Sequence, residues 1–316
     1  MFSRYWRTFP VGLQILLFMS MLLTLGGVGY LAAVAATGIK PENLGNFNIN
    51  SSAQVINAVR IEEIISNLVT FTGTALLFAY LTHPKPSRYL GFTAPKSILN
   101  IIISIVLALT MIPLGEQLEY YLRMINLGPS VIASQQKMDD AFKAILNMPT
   151  PKELLTCLLM TGIVAPLGEE LLFRGIVMRF GSKLTHRLFA SAIISGLFFA
   201  IFHAQVYAFL PIMLAGVVLS YIYYYNGSIW ANIITHCIYN SIQVIIIYIA
   251  SHNYISSHAN LNDMDHYPLY LVIAAALVFV ACFYALRRNR TPLPPDWAND
   301  FRDEQSDVTQ RERFGI

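Results

Sequence analysis

Three short stretches of this 316-residue chain carry side chains that could do chemistry together. The first is Glu169-Glu170-Leu171-Leu172-Phe173-Arg174. On a helix Glu170 and Arg174 stand one turn apart on the same face and can neutralise each other. Glu169, ~100° around the helix, is left without that partner. The second is Phe199-Ala200-Ile201-Phe202-His203, a histidine with no charge near it in sequence. The third is His236-Cys237-Ile238-Tyr239-Asn240, a histidine and an asparagine on one helical face.

Two chemistries use a free carboxylate, two histidines and an asparagine. Glu169 and His203 can activate a water, while His236 and Asn240 donate hydrogen bonds to the oxyanion of a tetrahedral intermediate. Alternatively, Glu169, His203 and His236 can be the three protein ligands of a catalytic Zn2+, with a water in the fourth position. Both amount to hydrolysis of an acyl bond. The chain has neither Gly-x-Ser-x-Gly nor His-Glu-x-x-His, so serine-hydrolase and zincin readings lack their motifs. Glu62 and Glu63 read as marking a membrane boundary. His252, His258 and His266 lack zinc-motif spacing and read as solvated.

The elements that must position these residues lie in a membrane. Hydrophobic residues make up 55% of the chain and charged residues 12%, about half the ~25% of a soluble domain. From Leu188 to Asn262 there is no Asp, Glu, Lys or Arg. That excludes a soluble enzyme, a disordered protein and a nucleic-acid binder. The long apolar runs exclude an outer-membrane barrel, whose strands alternate. Windows of ~20 apolar residues place spans at about 11–36, 61–82, 97–114, 153–173, 188–204, 207–225, 228–250 and 267–286. The expected fold is all-α and polytopic, with about eight transmembrane helices enclosing an intramembrane active-site cavity.

The first run is too long for a signal-peptide core and is taken as an uncleaved span. Arg4 and Arg7, then Lys85, Arg88 and Lys96, then Arg179, Lys183 and Arg187, then Arg287, Arg288 and Arg290 fall on one side of eight spans. The positive-inside rule therefore places both termini in the cytoplasm. Residues 138–148 alternate polar and apolar faces and suit an interfacial helix. The chain divides into a transmembrane part, 1–286, with a motif core at about 163–243, and a polar tail, 287–316, read as flexible. Cys157, Cys237 and Cys282 sit in apolar runs and read as small hydrophobes. There is no internal repeat, which weighs against an inverted-repeat carrier.

Glu169-Glu170-x-x-x-Arg174, Phe199-x-x-x-His203 and His236-x-x-x-Asn240 together resemble the three-motif signature of the CPBP intramembrane proteases. That family includes the type II CAAX prenyl endopeptidases and the bacterial proteins called Abi. Pro166-Leu167-Gly168 before the first motif, Gly227-Ser228-Ile229-Trp230 before the third and Tyr89-Leu90-Gly91-Phe92 upstream carry the same resemblance. It implies Glu169 as catalytic acid, His203 as its partner on the water, and His236 and Asn240 at the oxyanion. Glu170, Arg174 and Phe199 are implied as supporting residues. The family is described both as metalloproteases and as metal-independent glutamate proteases, so the expected cofactor is none or Zn2+. The implied partners are a peptide or membrane-protein substrate and the lipid bilayer, with no nucleic acid. The implied setting is a bacterial inner membrane, where such proteins serve peptide maturation, bacteriocin immunity and protein sorting. A non-catalytic immunity or scaffolding protein using the same cavity is the competing expectation.

Overall fold

A computed structural model describes residues 5–42, 47–252 and 267–291. Among the described residues the architecture is all helical and contains no strand. The helices are α1 (Val11–Thr37), α2 (Ala53–Thr82), α3 (Ile98–Arg123), α4 (Pro129–Ile145), α5 (Pro151–Thr185), α6 (Leu188–His203), α7 (Phe209–Asn226), α8 (Ile229–Ser251) and α9 (Leu269–Arg288). All but α4 and α6 are long and apolar enough to cross a membrane; α6, apolar throughout, has 16 residues.

Hydrogen bonds between connections show that α6 nevertheless runs from one end of the bundle to the other. At one end Thr93 Oγ1 donates to Gly227 O (2.7 Å), the Thr291 amide to Tyr225 O (2.8 Å) and Asn100 Nδ2 to Asn289 O (2.8 Å). Arg187, which starts α6, is exposed, as are Lys85, Arg88, Lys96, Arg287 and Arg288 in the connections of this basic end. At the opposite end Tyr207 Oη donates to Ile125 O (3.2 Å), the Val206 amide to Gln135 Oε1 (3.0 Å) and the Tyr267 amide to Gln117 Oε1 (3.1 Å).

Several boundaries differ from those read in the sequence. α2 begins at Ala53 rather than near 61, because Ser52 caps it by accepting from the Val55 amide. α3 continues through Pro113 to Arg123 and carries Glu116 and Glu119 on its last turns. α4 starts at Pro129, not near 138. Arg179, counted among the loop cations, is buried; its Nη1 donates to Tyr89 O (2.7 Å) and its guanidinium lies 4.2 Å from the centre of the Tyr89 ring. His252 is half-buried rather than solvated, with Nδ1 2.9 Å from Tyr248 O. His258, His266 and the tail from Pro292 lie outside the described residues.

Two features set the spacing of the helices around the site. α6 and α7 cross where Gly196 meets Gly216: a Cβ on Gly216 would lie 2.8 Å from Gly196 Cα. Small residues of this kind let membrane helices approach closely. α2 and α5 also depart from α-helical winding. Asn67–Gly73 in α2, and Leu158–Val164 and Glu170–Val177 in α5, wind as π-helix. Pro166 explains the first π turn of α5. It has no N–H to give, and its ring would crowd an α-helical carbonyl one turn back. The Ala165 amide accordingly donates to Met160 O, five residues back.

Candidate functional site

The π turn leaves a specific carbonyl open. With Ala165 bonded to Met160 and residue 166 a proline, Thr161 O has neither an i+4 nor an i+5 donor. Asn240 Nδ2, on α8, donates to it at 2.9 Å. An amide carries two N–H groups, so one remains after Thr161 is served.

Glu170 is the fixed point of the cluster. Its Oε1 accepts from Arg174 Nη1 at 2.8 Å and from His236 Nδ1 at 2.7 Å, and its Oε2 accepts from Asn232 Nδ2. The carboxylate and the guanidinium are both 0% exposed. Arg174 also donates from Nη2 to Gly216 O (3.1 Å) and lies 4.9 Å from the centre of the Phe199 ring. Further hydrogen bonds offset part of the cost of burying such a pair. Asn232 supplies one of those bonds; it sits one turn before His236 on α8.

Since a carboxylate oxygen only accepts, His236 Nδ1 carries the proton and Nε2 is turned the other way. There it faces Glu169 Oε2 at 3.7 Å, beyond hydrogen-bond reach but at ion-pair distance. Glu169 makes no pair with Arg174 and keeps 11% of its side chain exposed. His203 is oriented by the same logic. Its Nδ1 lies 2.7 Å from Phe199 O, a carbonyl, so Nδ1 donates and Nε2 presents a lone pair. Phe199 is the platform between them, its ring centre 4.5 Å from that of His203 and 6.0 Å from that of His236.

A cavity of about 270 Å³ opens between α3, α6, α7 and α8. His203, His236, Asn240 and Phe199 line it, and so do Glu116, Glu119, Tyr239 and Gln243. Glu169 adjoins this lining through His236, with Oε2 at the Nε2 edge of its ring. An apolar groove of about 420 Å³ adjoins the cavity and shares Met111, Gly115 and Pro211 with it.

Six of the seven residues singled out from the sequence are tied to one another by direct contact: Glu169, Glu170, Arg174, Phe199, His203 and His236. Asn240 joins the two histidines on the cavity wall. The sequence reading passed over Asn232 and Glu116. The first shares the face of His236 at helical spacing; the second lay past the apparent end of its span. Glu63, read as a boundary charge, interacts electrostatically with Glu169 across the α2–α5 packing. Among the described residues no three His, Cys, Asp or Glu side chains converge to hold an ion.

Residues 151–242 match the family described as type II CAAX prenyl endopeptidase, Rce1-like. That stretch runs from the start of α5 into α8 and contains all seven residues of the motifs. Neither the curated proteins nor the solved structures give a match to the chain.

Proposed function

We propose that this multi-pass protein hydrolyses a peptide bond within the bilayer through Glu169, His203, His236 and Asn240, because the segment 151–242 matches the Rce1-like type II CAAX prenyl endopeptidases and the bundle around it reads as a membrane cavity. The observation that carries this reading is the fate of Glu170. It is spent on Arg174, Asn232 and His236, which fixes His236 with Nε2 toward Glu169.

In this reading Glu169 takes the proton of the attacking water, with His203 as its partner on that water, and the proton is then passed to the leaving amine as the peptide bond breaks. Asn240 donates its remaining N–H to the oxyanion. His236 donates to the same oxygen from Nε2; it must then carry protons on both nitrogens, and the carboxylates of Glu170 and Glu169 balance that charge. Preorganised donors of this kind contribute most of the stabilisation of a tetrahedral intermediate. The wall is supplied by helices on which each of these side chains is held by a neighbour, which is how such geometry is kept within tolerance. Asn240 suits an oxyanion donor and is a poor zinc ligand, which supports a glutamate-type mechanism, so chelators are expected to leave turnover unchanged.

The substrate in this proposal is a peptide or membrane protein with an apolar segment, which the groove beside the cavity suits. The test compares protein N-termini in membranes of cells carrying the wild type and Glu169→Gln at matched abundance. Termini present with the wild type and lost with Glu169→Gln establish the protease. Identical termini, with both proteins equally stable and abundant, would overturn it in favour of a binding or immunity role.

A further inference from the structure

Glu116 is a charged group of the cavity that this chemistry does not use. It lies on α3 about 10 Å along the axis from Arg123, on the wall it shares with His203, His236 and Asn240. Ionisable groups at membrane depth are costly and are normally paired. The other acid of the wall, Glu119, is paired: Arg123 Nη2 lies 2.7 Å from its Oε1. Arg123 is further engaged by Asp139, with Nη1 3.0 Å from Oδ2. No lysine or arginine lines the cavity, and among the described residues no cation pairs with Glu116.

Its known polar partner is the Tyr267 hydroxyl. Burial first, and the neighbouring Glu116 charge second, push the Tyr267 phenol up to about 12. Tyr267 therefore stays protonated and donates. One donor leaves most of a carboxylate's roughly four acceptor sites open. The cavity that Glu116 lines is also lined by the two histidines.

We propose that Glu116 is a specificity residue that selects substrates with a lysine or arginine side chain beside the scissile peptide bond. The inference rests on the protease reading for the word scissile, and on the cavity alone for the preference for a cation. A substrate cation would complete a charge-assisted pair in a site with little water, where such pairs are strong.

The test uses the full-length protein in nanodiscs and a proteome-derived peptide library, with cleavage sites read by mass spectrometry. In the wild type, Lys and Arg should be enriched about tenfold at one position flanking the cut, the size of one charge-assisted hydrogen bond. Glu116→Gln should bring that enrichment to near one, Glu116→Asp should retain part of it, and Glu116→Lys should turn it toward Asp and Glu. The variants are compared only where their melting profiles match the wild type. A wild type with no basic preference, or a preference that survives Glu116→Gln, would overturn the proposal. So would an equal loss of cleavage of every peptide, which marks a catalytic or structural role.

A second arm separates this from failure of the protease reading. Two fluorescent apolar 12-residue peptides, one with a central Lys and one with Gln, are titrated by anisotropy onto wild type and Glu116→Gln. If nothing is cleaved but the Lys peptide binds about tenfold better only when Glu116 is present, proteolysis fails and the cation site stands. Equal binding of both peptides sinks the cation site whatever the cleavage result.

Discussion

Glu169 and Glu170 are chain neighbours with opposite roles, and the difference comes from one turn of helix. Glu170 meets Arg174 at i+4 and is enclosed with it, while Glu169 turns toward His236. Arg174→Ala would leave the Glu170 carboxylate buried with only Asn232 and His236 to answer it. Removing one partner of a buried pair costs about 3–5 kcal/mol, so a clear drop in Tm of the purified protein is expected, along with loss of turnover. Asn232→Leu removes a single donor from the same carboxylate. It should cost about 1–3 kcal/mol and lower activity by loosening His236. A Tm within a degree of wild type for Arg174→Ala would contradict the enclosure described above. At this scale the sequence was informative. Charge at i and i+4 in an apolar context names Glu170 and Arg174, and the polar side chains of a long uncharged stretch name His203, His236 and Asn240. Asn232 was not legible, because a buried asparagine is recognised by the acceptor it serves, and that acceptor is 62 positions away in the chain.

Helix type was legible in the elements, but helix winding was not. Apolar run length places each span, since a bilayer core demands it. It does not reveal three π turns, or that Pro166 converts a backbone carbonyl into an anchor for Asn240. Pro166→Ala restores the missing N–H and lets α5 return toward α-helical winding. Thr161 O would then be paired within its own helix, and Asn240 would lose its 2.9 Å partner. The expected outcome is a folded protein with strongly reduced turnover, and cleavage rate measured alongside Tm tells the two apart. The connection after α2 holds a second such element. Gly91, at φ +81°, has its carbonyl bonded to the Ile229 amide at the start of α8, and a Cβ placed on it would collide with Tyr223 Oη. Gly91→Ala should therefore lower Tm by disturbing the entry into the helix that carries His236. The resemblance of Tyr89-Leu90-Gly91-Phe92 to a family motif marked this stretch, but only the fold shows that it docks on Arg179 and on the Gly227-Ser228 turn.

For the molecule as a whole, the connections sort into two ends, and the cavity belongs to the end away from Lys85, Arg88, Lys96, Arg187, Arg287 and Arg288. Gln205 and His203 lie in or beside the connection that Gln135 and Ile125 hold by hydrogen bonds. If the basic end is cytoplasmic, as charge bias argues, a membrane-impermeant thiol reagent should label Gln205→Cys from outside intact cells. Lys96→Cys should remain protected until the cells are opened. Labelling of both from the same side would refute the paired ends. The loop charges read from the sequence argue for such a sidedness, although Arg179 among them proved to be a buried structural residue.

The stretch 151–242 encloses every residue assigned to bond breaking, whereas Glu116 and Tyr267 come from helix α3 and from the residue pair preceding α9, outside it. If Glu116 selects substrates as proposed, chemistry and selectivity are written in separable portions of the chain. One portion can be inherited intact while the other drifts, so that a lineage could acquire new targets by altering one helix and leave its reactive centre untouched.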